Sequence, residues 1–119
     1  MSRHHTIHYV ELPSTDLEAT KTFFRAAFGW NFQDYGPDYT AILGAGLEGG
    51  FYTSETVARE KTGSAMVILY SDDLEASRAT VTDAGGILVQ DIFSFPGGRR
   101  FHFTEPGGSE LAVWTETSE

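Results

Sequence analysis

Few side chains in this sequence are equipped for chemistry, and those few stand at two places far apart in the chain. There is no cysteine, which excludes thiolate nucleophiles, cysteine zinc sites and disulfides together. His4 and His5 belong to a terminus read as frayed, and His8 sits where the first apolar run begins. His102 is different, because it alternates with aromatic residues in Arg100-Phe101-His102-Phe103-Thr104. On a strand, His102 shares one face with Arg100 and Thr104, opposite Phe101 and Phe103. Such a histidine is a candidate general base or ligand hydrogen-bonder, with Glu11 as a weaker second candidate. The competing reading makes His102 an incidental polar residue at a strand edge. Arg99-Arg100 reads as a local anion site or a solvated turn. Gly46-Leu47-Glu48-Gly49-Gly50 lacks the lysine and helix of a phosphate loop and reads as a strand connection. No Gly-x-Ser-x-Gly elbow is present.

Composition limits the partners such residues could serve. Eight Lys+Arg against seventeen Asp+Glu give a net charge of −9, the reverse of a nucleic-acid binder. No apolar run is long enough for a membrane span or a secretory leader, so a soluble cytoplasmic protein is expected. With 40% hydrophobic residues, nine Phe, five Tyr and two Trp, the 119 residues suffice for one domain with its own core.

The elements that must hold these residues come from a duplication. Displaced by 57 positions, residues 9–34 fall on 66–91 with eleven identities, among them Ser14/Ser71, Asp16/Asp73, Leu17/Leu74, Glu18/Glu75, Gly29/Gly86 and Asp34/Asp91. Chance alone would give one or two at the ~5–7% frequency of common residues. Each copy predicts a strand (6–12 and 64–70) and then a helix opened by a capping box, Thr15/Glu18 and Asp72/Glu75. Gly29 and Gly86 are expected as left-handed helix stops. Three further strands follow in each copy, at 30–35, 39–43 and 47–54, then at 87–93, 99–104 and 109–115. Gly36-Pro37-Asp38, Pro96-Gly97-Gly98 and Glu105-Pro106-Gly107-Gly108 mark turns, and the polar stretch 55–63 reads as a linker. The expectation is an α+β domain over 1–119. It comprises two tandem βαβββ modules, about 6–54 and about 64–115, forming a curved, open, barrel-like mixed sheet with a concave cleft.

Alternation then divides each strand between two faces. Val10, Leu12, Val67, Leu69, Leu111 and Val113 form an aliphatic side that suits packing on the helices. Tyr9, Glu11, Met66, Ile68, Tyr70, Glu110, Ala112 and Trp114 form a mixed, aromatic side that suits a ligand cleft.

This pattern resembles the vicinal oxygen chelate superfamily of glyoxalases, extradiol dioxygenases and bleomycin-resistance proteins. The resemblance rests on Tyr9 to Glu18, on Phe23-Phe24, on Phe28-Gly29-Trp30 and on Phe103-Thr104-Glu105-Pro106-Gly107-Gly108-Ser109-Glu110-Leu111. It implies metal ligands on the first and last strand of each module, at Tyr9, Met66, Ala112 and near Tyr52 or Ser54. None of these is His, Asp or Glu, whereas a divalent ion wants three or more hard or borderline donors. No metal and no other cofactor is therefore expected. A one-residue shift would put His8 in place of Tyr9, but it would also turn Val10 and Leu12 off the helices. Glu11, His102 and Glu110 form an alternative, displaced metal set. Against it stands the reading that these carboxylates are partly solvated or paired with Arg100.

The sequence thus points to a glyoxalase/bleomycin-resistance-like protein that binds a small organic molecule without metal. Tyr9, Tyr52, Met66, Ala112 and Trp114 would supply its surface, and Glu11, Arg100 and His102 its polar contacts. The balance leans away from catalysis. The alternatives are a metal-dependent lyase or dioxygenase using the displaced set, and a ligand-free dimeric interaction protein. The resemblance and the exposed sheet edges also imply a homodimer.

Overall fold

A computed structural model describes residues 4–117, so the outermost ends of the 1–119 span lie outside it. Strand β1 (Tyr9–Ser14) leads into helix α1 (Leu17–Phe28), followed by β2 (Asn31–Asp34), β3 (Tyr39–Leu43) and β4 (Glu48–Thr53). After a 3-10 turn at Glu60–Thr62 the order repeats as β5 (Ile68–Tyr70), α2 (Leu74–Asp83), β6 (Ile87–Phe95), β7 (Gly98–Thr104) and β8 (Glu110–Glu116). The eight strands form two four-stranded sheets, ordered β1-β4-β3-β2 and β5-β8-β7-β6. In each, the first strand runs parallel to the last and the remaining pairs are antiparallel. The expected α+β duplication is present.

The helix starts lie one residue later than the capping boxes suggest. Asp16 and Asp73, not Thr15 and Asp72, are the N-caps, each accepting from the N–H three residues on at 3.1 Å. Thr15 is engaged elsewhere, its N–H and its hydroxyl both donating to the Gly107 carbonyl at 2.9 and 3.0 Å. The positions shared by the two copies turn out to be scaffold. Ser14 and Ser71 accept from the Asp16 and Asp73 N–H groups at 3.0 Å and bond to Thr20 and Ser77 at 2.7 and 2.6 Å. Lys21–Asp34 (2.9 Å) and Arg78–Asp91 (2.7 Å) tie each helix to the strand that follows it.

Helix α1 ends at Gly29 in the left-handed region (φ 72°), as expected. At the second helix the left-handed residue is Gly85 (φ 110°), not Gly86. Gly86 serves a different need, since a Cβ there would lie 2.6 Å from Val81 Cγ1 and 3.1 Å from Phe23 Cε1. The strands also shift slightly. β1 and β5 are shorter at their N-terminal ends than 6–12 and 64–70, while β6 continues to Phe95.

Phe23 and Phe24 of α1 meet Leu12, Phe51, Phe101, Phe103, Leu111 and Val113 in one buried cluster. Phe24 stacks on Trp30 at 4.6 Å. The aliphatic strand face is therefore the core face, as alternation predicts. The linker is not a free tether. Ala58 is buried, receives the Glu110 N–H at 2.7 Å and donates to the Ser109 hydroxyl at 3.2 Å.

Candidate functional site

Cross-strand register fixes which candidates can meet. On the first sheet Tyr9, Glu11 and Tyr52 share the face turned away from the helices, and Tyr39 pairs with Tyr52 across β3–β4. The Tyr39 hydroxyl donates to Glu11 at 3.1 Å and bonds to the Tyr9 hydroxyl. Gly50 leaves the space for the Tyr39 ring, because a Cβ there would collide with its hydroxyl. Burial, together with the hydrogen bonds to Tyr9 and Glu11, holds the Tyr39 phenol well above its usual range, so it remains a donor. Tyr9, Glu11 and Tyr52 are all exposed.

On the second sheet His102 pairs with Ala112 across β7–β8. Its Nδ1 lies 2.9 Å from Glu110 Oε2, and both side chains are buried, at 1% and 3% exposure. Glu110 Oε1 accepts from the Glu60 N–H at 3.1 Å and from Arg59 Nε at 3.3 Å. Burial alone would raise the Glu110 carboxyl. The bonds from His102, Glu60 and Arg59 outweigh burial and hold it below the usual carboxylate range. An ionised carboxylate only accepts, so Nδ1 donates to it, and Nε2 is buried with no hydrogen-bond partner among the described residues. Glu60 Oε1 lies 3.9 Å from the same Nδ1. Glu60, His102 and Glu110 thus bring three donor atoms within 4.8 Å of one another.

Further along the same face the Arg100 guanidinium lies over two neighbouring rings, its carbon 5.5 Å from the centroids of both Phe93 and Phe95. Trp114, its partner on β8, packs edge-on against Tyr70 at 5.3 Å and lies 6.3 Å from Phe95. Ile68, Phe95, Arg100 and Trp114 line an open, shallow cavity of about 240 Å³. A larger one, about 450 Å³, lies on the opposite, core side and takes its walls from both modules, including Leu12, Trp30, Val67 and Leu111. Its walls are aliphatic and aromatic, with no charged side chain to orient a ligand.

The sequence candidates are therefore divided between two places. Arg100, His102, Ala112 and Trp114 share the second sheet, with Met66 just before β5, whereas Tyr9, Glu11 and Tyr52 belong to the first. Three expectations change. Glu11 does not join His102 and Glu110, because Tyr39 holds it and Glu60 takes its place in the cluster. Arg100 pairs with no carboxylate among the described residues; Arg59 pairs with Glu110 and Arg99 with Glu75. Ala112 and His102 are not open to solvent, at 0% and 1% exposure. Sequence reasoning missed Tyr39, Glu60, Phe93 and Phe95. Extending the β6 alternation by one pair would have put both phenylalanines beside Arg100. Glu60, in a stretch without periodicity, gave no signal.

Comparison with known proteins agrees with this architecture. A crystal structure of a glyoxalase/bleomycin resistance protein/dioxygenase family enzyme from Burkholderia phytofirmans PsJN superposes with a TM-score of 0.76 over 92% of this chain and 97% of its own, at 14% identity. TnmS3, an antibiotic binding protein from Streptomyces sp. CB03234, gives 0.67 over 96% and 100% at 18% identity. A glyoxylase-like domain-containing protein from Didymella fabae is 31% identical, covering 97% of each chain. The family model for the Glyoxalase/Bleomycin resistance protein/Dioxygenase superfamily matches residues 6–113. The chain belongs to that superfamily.

The residues at the superfamily's expected ligand positions do not fit a divalent ion. Tyr9 offers a hydroxyl already bonded to Tyr39, Met66 a thioether and Ala112 a methyl group. The one-residue shift toward His8 does not occur, since Leu12 is 5% exposed in the core and the His8 ring lies 3.6 Å from Glu48.

Proposed function

We propose that this superfamily member binds a small organic molecule, without a metal, against the aromatic surface of its second module. The observation that carries this reading is the cavity formed by Ile68, Phe95, Arg100 and Trp114. Its aromatic rings supply flat apolar area at low entropic cost, and the Trp114 indole brings an N–H as well. About 240 Å³ is below the ~300–1,000 Å³ of drug-sized pockets, so a ligand of one or two rings suits it. The structural likeness to an antibiotic binding protein is compatible with such a role. The test is a thermal-shift screen of one- and two-ring compounds, repeated on Trp114→Ala. Hits that raise the melting temperature of the native chain and not of the variant support the reading. A screen without hits, or hits indifferent to Trp114, refutes it.

A second reading has one specific observation behind it, the cluster of Glu60, His102 and Glu110. One imidazole and two carboxylates are the donor types of a zinc or iron site. Against this, both Glu110 oxygens already accept hydrogen bonds. Elemental analysis of protein purified without chelator separates the two readings. One equivalent of metal, with a melting temperature lowered by EDTA, would favour the second. We also propose a two-fold homodimer, which sedimentation equilibrium at tens of micromolar would test.

A further inference from the structure

We infer that the ligand of the second-module cavity is an organic anion, held through its negative group by Arg100. This rests on the reading above and adds the charge of the ligand. In a chain with an excess of nine negative charges, the described cations are mostly matched. Lys21 has Glu18 and Asp34, Arg59 has Glu110, Arg78 has Asp91 and Arg99 has Glu75. Arg100 makes no ion pair among the described residues, and it alone of the described cations lines the cavity.

Glu116, two residues beyond Trp114 on the same face of β8, accepts from the Tyr70 hydroxyl at 3.2 Å. Neighbouring Arg99 projects to the opposite face and takes Glu75 at 2.6 Å. Arg100 is also fixed in place. Phe93 and Phe95 support its guanidinium from one side, and its Nε is shut away from solvent without a hydrogen-bond partner among the described residues. That leaves the two Nη groups to take an acceptor. A planar guanidinium held this way is prepared for the two oxygens of a carboxylate or a similar oxyanion, at little further loss of side-chain freedom.

The backbone beneath is shaped to the same end. Gly98 faces Phe95 across β6–β7, and a Cβ there would strike the Thr115 carbonyl oxygen at 2.3 Å and crowd Trp114 Cε3 at 3.1 Å and Phe95 Cζ at 3.3 Å. Glycine is needed first for the close approach of the β8 backbone, and it also leaves room for the indole and the phenyl ring beside the cavity that Arg100 lines. Ile68 completes an apolar wall. The ligand class is accordingly a flat apolar body bearing a carboxylate or a comparable acidic oxygen.

The test pairs 2-naphthoate with its neutral analogue 2-naphthamide, using calorimetric titration and the Trp indole N–H resonances. Trp114 lines the cavity, whereas Trp30 is 8% exposed and stacked on Phe24, so only the Trp114 signal should move. The native protein should bind naphthoate at least about tenfold more tightly than the amide, as a charge-assisted hydrogen bond would give. In Arg100→Gln that preference should vanish while the amide still binds, and in Arg100→Lys it should return in part. Equal binding of acid and amide, or naphthoate affinity unchanged in Arg100→Gln, would overturn the anion inference and leave small-molecule binding intact. If neither compound moves the Trp114 resonance, both readings fall. Retained amide binding shows that the Gln variant is folded.

Discussion

Replacing Glu110 by alanine should loosen the linker and destabilise the whole domain, and the size of the effect follows from what the carboxylate holds. Glu110 is 3% exposed and accepts from His102 Nδ1, the Glu60 N–H and Arg59 Nε. Arg59 is 27% exposed and can turn to water when its partner is lost. His102 cannot, because its side chain is 1% exposed. An orphaned buried donor costs about 1–3 kcal/mol, and breaking a buried ion pair from one side costs about 3–5. Removing a buried charge returns part of that, so we expect a net loss of about 2–4 kcal/mol. For a domain of this length the unfolding entropy is roughly 0.25 kcal/mol/K, which converts the loss to a Tm fall of about 8–16 °C. Glu110→Gln should cost less, since an amide can satisfy His102 in its other tautomer. Thermal melts supply the magnitude, and amide exchange supplies the location. The Glu60 amide loses its acceptor and should exchange faster in Glu110→Ala, while core amides follow global stability. A Tm within about 2 °C of the native value, with Glu60 exchange unchanged, would refute the argument.

Burial raises the Glu105 carboxyl above its usual range, and bonds from Thr20 and the Gly107 N–H only partly oppose this. The folded state therefore holds this proton more tightly than the unfolded chain does. Its contribution to stability is present at low pH and lost as pH rises from about 4.3 through the folded value. As pH rises across that range the urea midpoint of Glu105→Gln should gain on that of the native protein; parallel curves would contradict this. Val113→Ala, at 1% exposure in the core, should cost about 2–3 kcal/mol by denaturant titration. Ile87→Ala, at 68% exposure, should cost under about 0.5 kcal/mol, and a reversed order would invert the assignment of faces. Gly107→Ala should destabilise by about 1–3 kcal/mol, because its methyl would strike the Ser14 and Thr20 hydroxyls, and an unchanged midpoint would contradict that packing.

Periodicity and duplication alone determined most of the fold. An alternating strand has one inward side, so Val10, Leu12, Leu111 and Val113 had to face the helices. The matching of Ser14 with Ser71 and Asp34 with Asp91 marked a repeated unit before any contact was known. Even the absence of ligand-type residues at Tyr9, Met66 and Ala112 was legible, because side-chain chemistry at a strand position does not depend on its neighbours. What the sequence could not decide was partnership across space. Thr15 looked like a cap until Gly107, 92 positions away, claimed its hydroxyl, and the cap passed to Asp16. Glu11 and Glu110 shared a parity, yet they stand on different sheets, and Tyr39 holds the first while Arg59 and His102 hold the second. Arg100 looked available to either carboxylate and lies over the Phe93 and Phe95 rings instead. Local pattern fixes which way a side chain points, because the pleat repeats every two residues. Which charge meets it depends on loop paths and strand order, which only the assembled chain supplies.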